Sequence, residues 1–198
     1  MRLLIATNNA GKAREYRELL AGLAFELVTP ADIGLDLDVE EGADSFEANA
    51  VAKAQAFAVA SGLLSLADDS GLEVEALGGE PGVRARRYAG EDATDPERVA
   101  FLLSKLADVP WERRRASFRC VIAIAAPHGE VEVCDGSCDG YIALEPAGGG
   151  GFGYDPIFYA PELSKTMAEL TSEQKNAISH RARAAAVARR LLERRLRS

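Results

Sequence analysis

The sequence predicts an α/β fold built on a mixed sheet, and three observations carry that expectation. The chain opens as a strand, loop and helix: Leu3-Leu4-Ile5-Ala6 is a short apolar run, Thr7-Asn8-Asn9-Ala10-Gly11-Lys12 interrupts it, and Tyr16, Leu19 and Leu20 recur at helical spacing. A second apolar run over 63–67 follows another helical segment in the same way. Further on, a long strand pattern over 116–125 turns at His128-Gly129 and returns through Val131 and Val133, an antiparallel hairpin that a purely parallel sheet would lack. At 198 residues the chain is long enough for one sizeable domain, or two small lobes, with a full core. No linker divides 1–198, so a single domain is expected.

Each helix is signalled at its ends. The second is expected from Ser45 as N-cap to Ser61, with Gly62 just past its end. Phe46, Ala50, Lys53 or Ala54, and Phe57 fall on one stripe, and Asn49 and Lys53 lie one turn apart beside it. Asp95-Pro96 opens a third helix whose buried face is Val99, Leu102, Leu103 and Leu106, and it reads as purely structural. Thr171-Ser172-Glu173-Gln174 has the form of a capping box. If the helix it starts is continuous, His180, Ala184, Val187, Ala188 and Leu191 share one face.

Composition narrows the function classes. A formal net charge of −8 argues against a protein that coats nucleic acid, because affinity for a phosphate backbone comes from clustered Lys and Arg. The tail from Arg181 to Arg197 is basic, and a solvated helix face is its ordinary meaning. The opening apolar run is too short for a signal peptide or a membrane span, so no membrane association and a cytoplasmic location are expected. Cys120, Cys134 and Cys138 have neither paired number nor CxxC spacing, which points to buried free thiols.

Several segments carry chemistry. Gly148 to Gly151 is a glycine run that leads into Phe152-Gly153-Tyr154-Asp155-Pro156. Glycines let backbone approach a ligand closely, a flat ring stacks on any nucleobase, and an acid at a base edge can accept from a ring N–H. An ordinary hairpin loop is the competing explanation. Thr7 to Lys12 places backbone N–H groups and a lysine at a helix N-terminus, where phosphates bind, although Ala6 and Ala13 exclude a Walker A loop. Asp68-Asp69-Ser70-Gly71 is expected to end the strand over 63–67, and paired acids at such an end stand where ligands bind. Adjacent carboxylates repel, so a shared Mg²⁺ is the economical reading, with Asp69 as ligand or as base; an Asx turn is the alternative. Lys175, Ser179, His180 and Arg181 crowd polar side chains into two turns.

The ordered set Thr7-Asn8-Asn9-Ala10-Gly11-Lys12, Ala67-Asp68-Asp69-Ser70-Gly71-Leu72, Glu145-Pro146 before Gly151-Phe152-Gly153-Tyr154-Asp155-Pro156, and Ser179-His180-Arg181 resembles the inosine/xanthosine triphosphate pyrophosphatase family over nearly the whole chain. The resemblance implies a two-lobed α/β fold with an active-site cleft between the lobes, a Mg²⁺-dependent homodimer, and hydrolysis of ITP, dITP and XTP to the monophosphate and pyrophosphate. It also implies roles. Thr7, Asn8, Asn9, Ala10, Gly11 and Lys12, with Lys53 and Asn49, would hold the triphosphate. Asp69 would bind Mg²⁺ or act as base, Asp68 would support it, and Ser70 would touch substrate. Glu40 and Glu41 are further candidate metal ligands. Phe152 would stack on the purine, Gly153 and Tyr154 would bind substrate beside it, and Asp155, Lys175, His180 and Arg181 would surround the purine edge.

Some positions depart from the family pattern. The usual Glu-Asn-Ala reads Ala48-Asn49-Ala50, and the usual Glu-x-Gly is shifted to Glu40-Glu41-Gly42. Two other classes stay open on the residues alone: a nucleotide enzyme releasing one phosphate, and a non-catalytic nucleotide-binding module. Pyrophosphate as product separates the first from the family reading, and any turnover removes the second.

Overall fold

The computed structural model describes residues 1–40 and 42–197. Among them are strands β1 (Arg2–Ile5), β2 (Glu26–Val28), β3 (Leu64–Val74), β4 (Pro81–Gly82), β5 (Arg115–Ala125), β6 (Val131–Ile142), β7 (Phe158–Ala160) and β8 (Lys165–Thr166). The helices are α1 (Ala10–Leu19), α2 (Phe46–Ser61), α3 (Asp95–Lys105), α4 (Ser172–Ile178) and α5 (His180–Arg195). The strands form a mixed sheet in the order β2-β1-β3-β5-β6-β7-β8, with β4 paired to β3. β1 runs parallel to β2 and β3, whereas β4 is antiparallel to β3 and β7 is antiparallel to β6 and β8. The expected α/β class with a mixed sheet is what the chain adopts.

Its contacts separate two compact units. The first comprises Met1–Ser70, Cys120–Gly136 and the chain from Arg181; the second comprises Gly71–Arg119 and Ser137–His180. In the first unit the sheet is covered on both faces. On one, Leu3, Ile5 and Leu66 pack with Tyr16 of α1, with Leu20 just past its end, and with Ala184, Ala188 and Leu192 of α5. On the other, Leu4, Ala6 and Ala67 pack with Ala50, Ala54, Phe57 and Ala58 of α2. Alternate residues of β1 and β3 thus feed opposite cores, which is why these strands read as continuous apolar runs. The second unit has its own core, in which Leu72, Val74, Val99, Leu102 and Leu106 meet Phe118, Ile142, Ile157 and Phe158.

Local chemistry explains the element ends. Ser45 caps α2 by accepting from the Ala48 N–H, and Gly62 closes it in the left-handed conformation at φ 68°. Thr94 and Glu97 form a capping box at the start of α3. The hairpin turns at Gly129, whose φ is +98°. No helix among the described residues is long and apolar enough to cross a membrane.

Two expectations are corrected. β3 does not end at Asp68; it runs on through Asp68-Asp69-Ser70-Gly71 to Val74, so these residues are neither an Asx turn nor a strand end. Aspartate disfavours strands because its carboxylate is left without partners, and here each carboxylate has them. The C-terminal helix is not continuous either. Thr171 and Gln174 cap α4 as expected, but Ser179 stands at φ −66° and ψ 153° between α4 and α5. Extended backbone at a serine is what a helix N-cap requires, so the chain stops one helix and starts another there.

Candidate functional site

The first unit gathers most of the expected phosphate residues around β3. Asn9 caps α1 by accepting from the Lys12 N–H at 3.0 Å, and Thr7 Oγ1 accepts from the Asn9 N–H at 3.2 Å. Asn8 donates its side-chain amide to the Leu37 carbonyl. Ala10 and Gly11 are the first residues of the helix, so its leading N–H groups and positive dipole end lie beside Lys12. Lys12 Nζ reaches Asp68 Oδ2 at 3.0 Å.

Asp68 and Asp69 are 2 % and 4 % exposed, and they are compensated separately. Consecutive residues of a strand project to opposite faces. Asp68 faces α1 and α5, where Lys12 and Arg181 approach it and Cys120 Sγ lies 3.9 Å away. Asp69 faces α2, where its Oδ2 accepts from the Asn49 amide at 2.9 Å while its Oδ1 accepts from the Ser70 N–H at 2.8 Å. The two acids therefore need no shared cation to coexist, which removes the repulsion argument for a metal. Lys53, one turn beyond Asn49 on α2, donates to the Asp68 carbonyl at 3.0 Å.

Electrostatics divides the labour between the acids. Burial alone would raise the Asp68 carboxyl, but Lys12, Arg181 and Lys53 outweigh it and hold the group well below the usual carboxylate range. Such a carboxylate is a poor base and a good anchor. Asp69 accepts from the Asn49 amide and from a backbone N–H. Asn49 is itself fixed, accepting from the Ala43 N–H and donating to the Ala43 carbonyl.

Arg181, expected at a base edge, is engaged in this first group. It pairs with Glu15 at 2.5 Å, donates to Ser70 Oγ at 3.1 Å, and lies over the Tyr16 ring. Burial would lower its guanidinium, but Asp68 and Glu15 raise it above its ordinary value. Glu15 escaped the sequence reading. A buried arginine demands an acid, yet nothing in sequence says which.

The second unit assembles the glycine loop. Asp155 Oδ2 accepts from the Phe152 N–H at 2.8 Å and from Lys175 Nζ at 2.6 Å. Lys175 Nζ also stands 4.9 Å from the centre of the Phe152 ring, a cation over an aromatic face. The loop needs its glycines for space: a Cβ on Gly148 would overlap the Ala168 backbone, and one on Gly151 would overlap the Asp155 carboxylate. Gly153 adopts φ +62° and donates its N–H to Asp95 Oδ2 at 2.7 Å. The buried Tyr154 donates its hydroxyl to the Ala85 carbonyl. His180 stacks on Phe118 with ring centres 4.6 Å apart. α3 is thus more than scaffold, because its first residue ties the loop.

The basic tail is largely spent on neighbouring acceptors. Arg194 and Arg195 pair with Glu132, and Arg189 donates to the Ala21 carbonyl. The three cysteines are buried free thiols as expected. Among the described residues, no three His, Cys, Asp or Glu side chains gather closely enough to hold a metal by themselves. Glu40 is exposed, and Glu41 lies outside the described residues. Mg²⁺ commonly takes one or two carboxylates and completes its shell with substrate phosphates and water, so a single oriented carboxylate such as Asp69 fits that ion.

The family model described as the Ham1 family matches residues 3–191. The chain belongs to the Ham1 family. It is similar to the dITP/XTP pyrophosphatase of Desulforamulus reducens, 50% identical over 194 residues that cover 98% of this chain and 96% of the relative. The Bacillus subtilis dITP/XTP pyrophosphatase is 46% identical over 190 residues, 96% of each chain. The solved structure of a HAM1 protein from Coxiella burnetii matches with a TM-score of 0.88 and 41% identity, covering 98% of this chain and 99% of that one. The family resemblance carried by the four motifs therefore holds, and the Ham1 assignment spans both units.

Proposed function

We propose that this Ham1 chain hydrolyses non-standard purine nucleoside triphosphates, ITP, dITP and XTP, to the nucleoside monophosphate and pyrophosphate. The relatives' names support the substrate class. The observation that carries the chemistry is the division between Asp68, anchored by Lys12 on one face of β3, and Asp69, aimed by the Asn49 amide on the other.

In this reading the N–H groups at the start of α1, Lys12 and Lys53 neutralise the triphosphate, and Asp68 holds Lys12 in place. Asp69 receives the proton of the attacking water, and Asn49 and the Ser70 N–H keep its carboxylate aimed. Asp69, with Glu40 as a further candidate, would hold Mg²⁺, which would supply charge neutralisation on the phosphates and the leaving pyrophosphate. Phosphoanhydride cleavage needs no covalent nucleophile. Phe152 offers the stacking face, and Lys175 places a cationic donor beside it. Such a donor suits the 6-carbonyl of hypoxanthine and xanthine and opposes the 6-amino group of adenine; a buried donor left unmatched can discriminate by up to about 10⁴. His180, ordered by Phe118, completes the base side. The enzyme acts in the cytoplasm as a homodimer that cleanses the nucleotide pool.

Incubation with ITP, XTP, dITP, ATP and GTP, with and without Mg²⁺, tests this by product chromatography. Mg²⁺-dependent formation of IMP and XMP, with ATP and GTP much slower, is expected. Equal turnover of ATP would overturn the substrate class, and turnover unchanged by chelation would overturn the metal.

A further inference from the structure

The geometry points to Asp95 as a positioning residue for base recognition, setting where the Phe152 ring stands. This rests on the base-side reading of Phe152 given above. Asp95 is the first residue of α3, and its Oδ2 accepts the Gly153 N–H at 2.7 Å from a residue 58 positions away in sequence. Gly153 immediately follows Phe152, so this bond fixes the peptide on the far side of the stacking residue. On its near side the Phe152 N–H is fixed by Asp155 Oδ2 at 2.8 Å. The aromatic residue is therefore gripped by two carboxylates, one from its own loop and one from α3.

The α3 carboxylate is itself held. Its Oδ1 pairs with Arg98 one turn along the helix, and Arg98 also donates to the Ala93 carbonyl and, at 3.1 Å, to the Arg86 carbonyl. Arg98 thus stops Asp95 from turning away into solvent. The Gly153 backbone is left-handed and its Cβ position is open space, and the hydrogen bond to Asp95 directs its N–H. A charge-assisted bond to a backbone donor is the device that holds such a peptide.

Asp95 touches no reacting atom, so its loss should loosen base binding and leave the chemical step alone. Asp95→Ala is expected to raise the KM for ITP by about tenfold with kcat within about twofold, as loss of one charge-assisted hydrogen bond predicts. Asp95→Asn retains an acceptor oxygen and should restore most of the KM. Thr94→Ala removes the α3 cap without touching the loop, and should lower thermal stability while leaving the KM unchanged. If Asp95→Ala keeps the wild-type KM, or if Thr94→Ala reproduces its KM, the positioning role is overturned. Phe152→Ala run alongside separates the failures: an unchanged KM there removes the base-side reading and this proposal together, whereas a raised KM with Asp95→Ala unaffected removes this proposal alone.

Discussion

Asp68 and Asp69 are neighbours in sequence and opposites in the fold: Lys12 meets the first at 3.0 Å on one face of β3, and Asn49 meets the second at 2.9 Å on the other. Adjacent acids so separated can do different work. Asp68 is a fixed counterion for buried cations, and Asp69 is a carboxylate held by the Asn49 amide and the Ser70 N–H.

Their isosteric variants should therefore fail in different ways. Asp68→Asn removes the buried counterion of Lys12 and leaves Arg181 with Glu15, and breaking such a buried pair costs about 3–5 kcal/mol. Asp69→Asn keeps an acceptor oxygen for the Asn49 amide and should change stability far less. Urea unfolding of both variants checks this, and an Asp68→Asn midpoint equal to that of wild type would contradict the counterion role.

The same carboxylate predicts a pH dependence. Asp68 is depressed in the folded state, so it contributes stability above the ordinary carboxylate pKa of about 4 and loses it as pH falls below that value toward the folded one. The stability gap between wild type and Asp68→Asn should be constant from pH 5 to 7, to an approximation of ~0.5 kcal/mol, and should narrow on acidification below about pH 4. Denaturant melts across that range measure it; a gap that widens on acidification would contradict the sign.

Lys175 bridges Asp155 and the face of Phe152. Lys175→Ala should reduce the ITP:ATP ratio of kcat/KM by at least about tenfold while the protein stays folded. Competition kinetics with the two substrates reads the ratio, and an unchanged value would remove Lys175 from base selection.

Cys120 is pushed up to about 12, by burial first and then by the Asp68 charge, and burial pushes Cys134 up to about 11. A thiol that stays protonated and covered is unreactive. A chromogenic disulfide at pH 8 should titrate none of the three cysteines in the native protein and all three after denaturation; rapid native labelling of Cys120 would show that the packing behind Asp68 opens.

What the sequence discloses of this architecture is what local chemistry decides. The bounds of α2 follow from Ser45 and Gly62, and the cap of α4 follows from Thr171 and Gln174, because each signal lies within a few residues of its effect. The length of β3 was hidden, since Asp68-Asp69-Ser70-Gly71 reads as a turn until Asn49, 20 residues away, and Lys12 supply partners. The break at Ser179 was hidden by apolar periodicity that carries on across it. Phe152, Asp155 and Lys175 were legible as a group through the family resemblance. Glu15 and Asp95 were not, because their partners lie 166 and 58 residues away and neither acid stands in a motif.

A single-turnover reaction of dITP with the wild-type enzyme and with Asp69→Asn, products separated by chromatography, tests the central claim most directly. Deoxyinosine monophosphate with pyrophosphate from the wild type, and no product from a folded Asp69→Asn, is the predicted result. Orthophosphate with the diphosphate as first products, or undiminished turnover by Asp69→Asn, would contradict it.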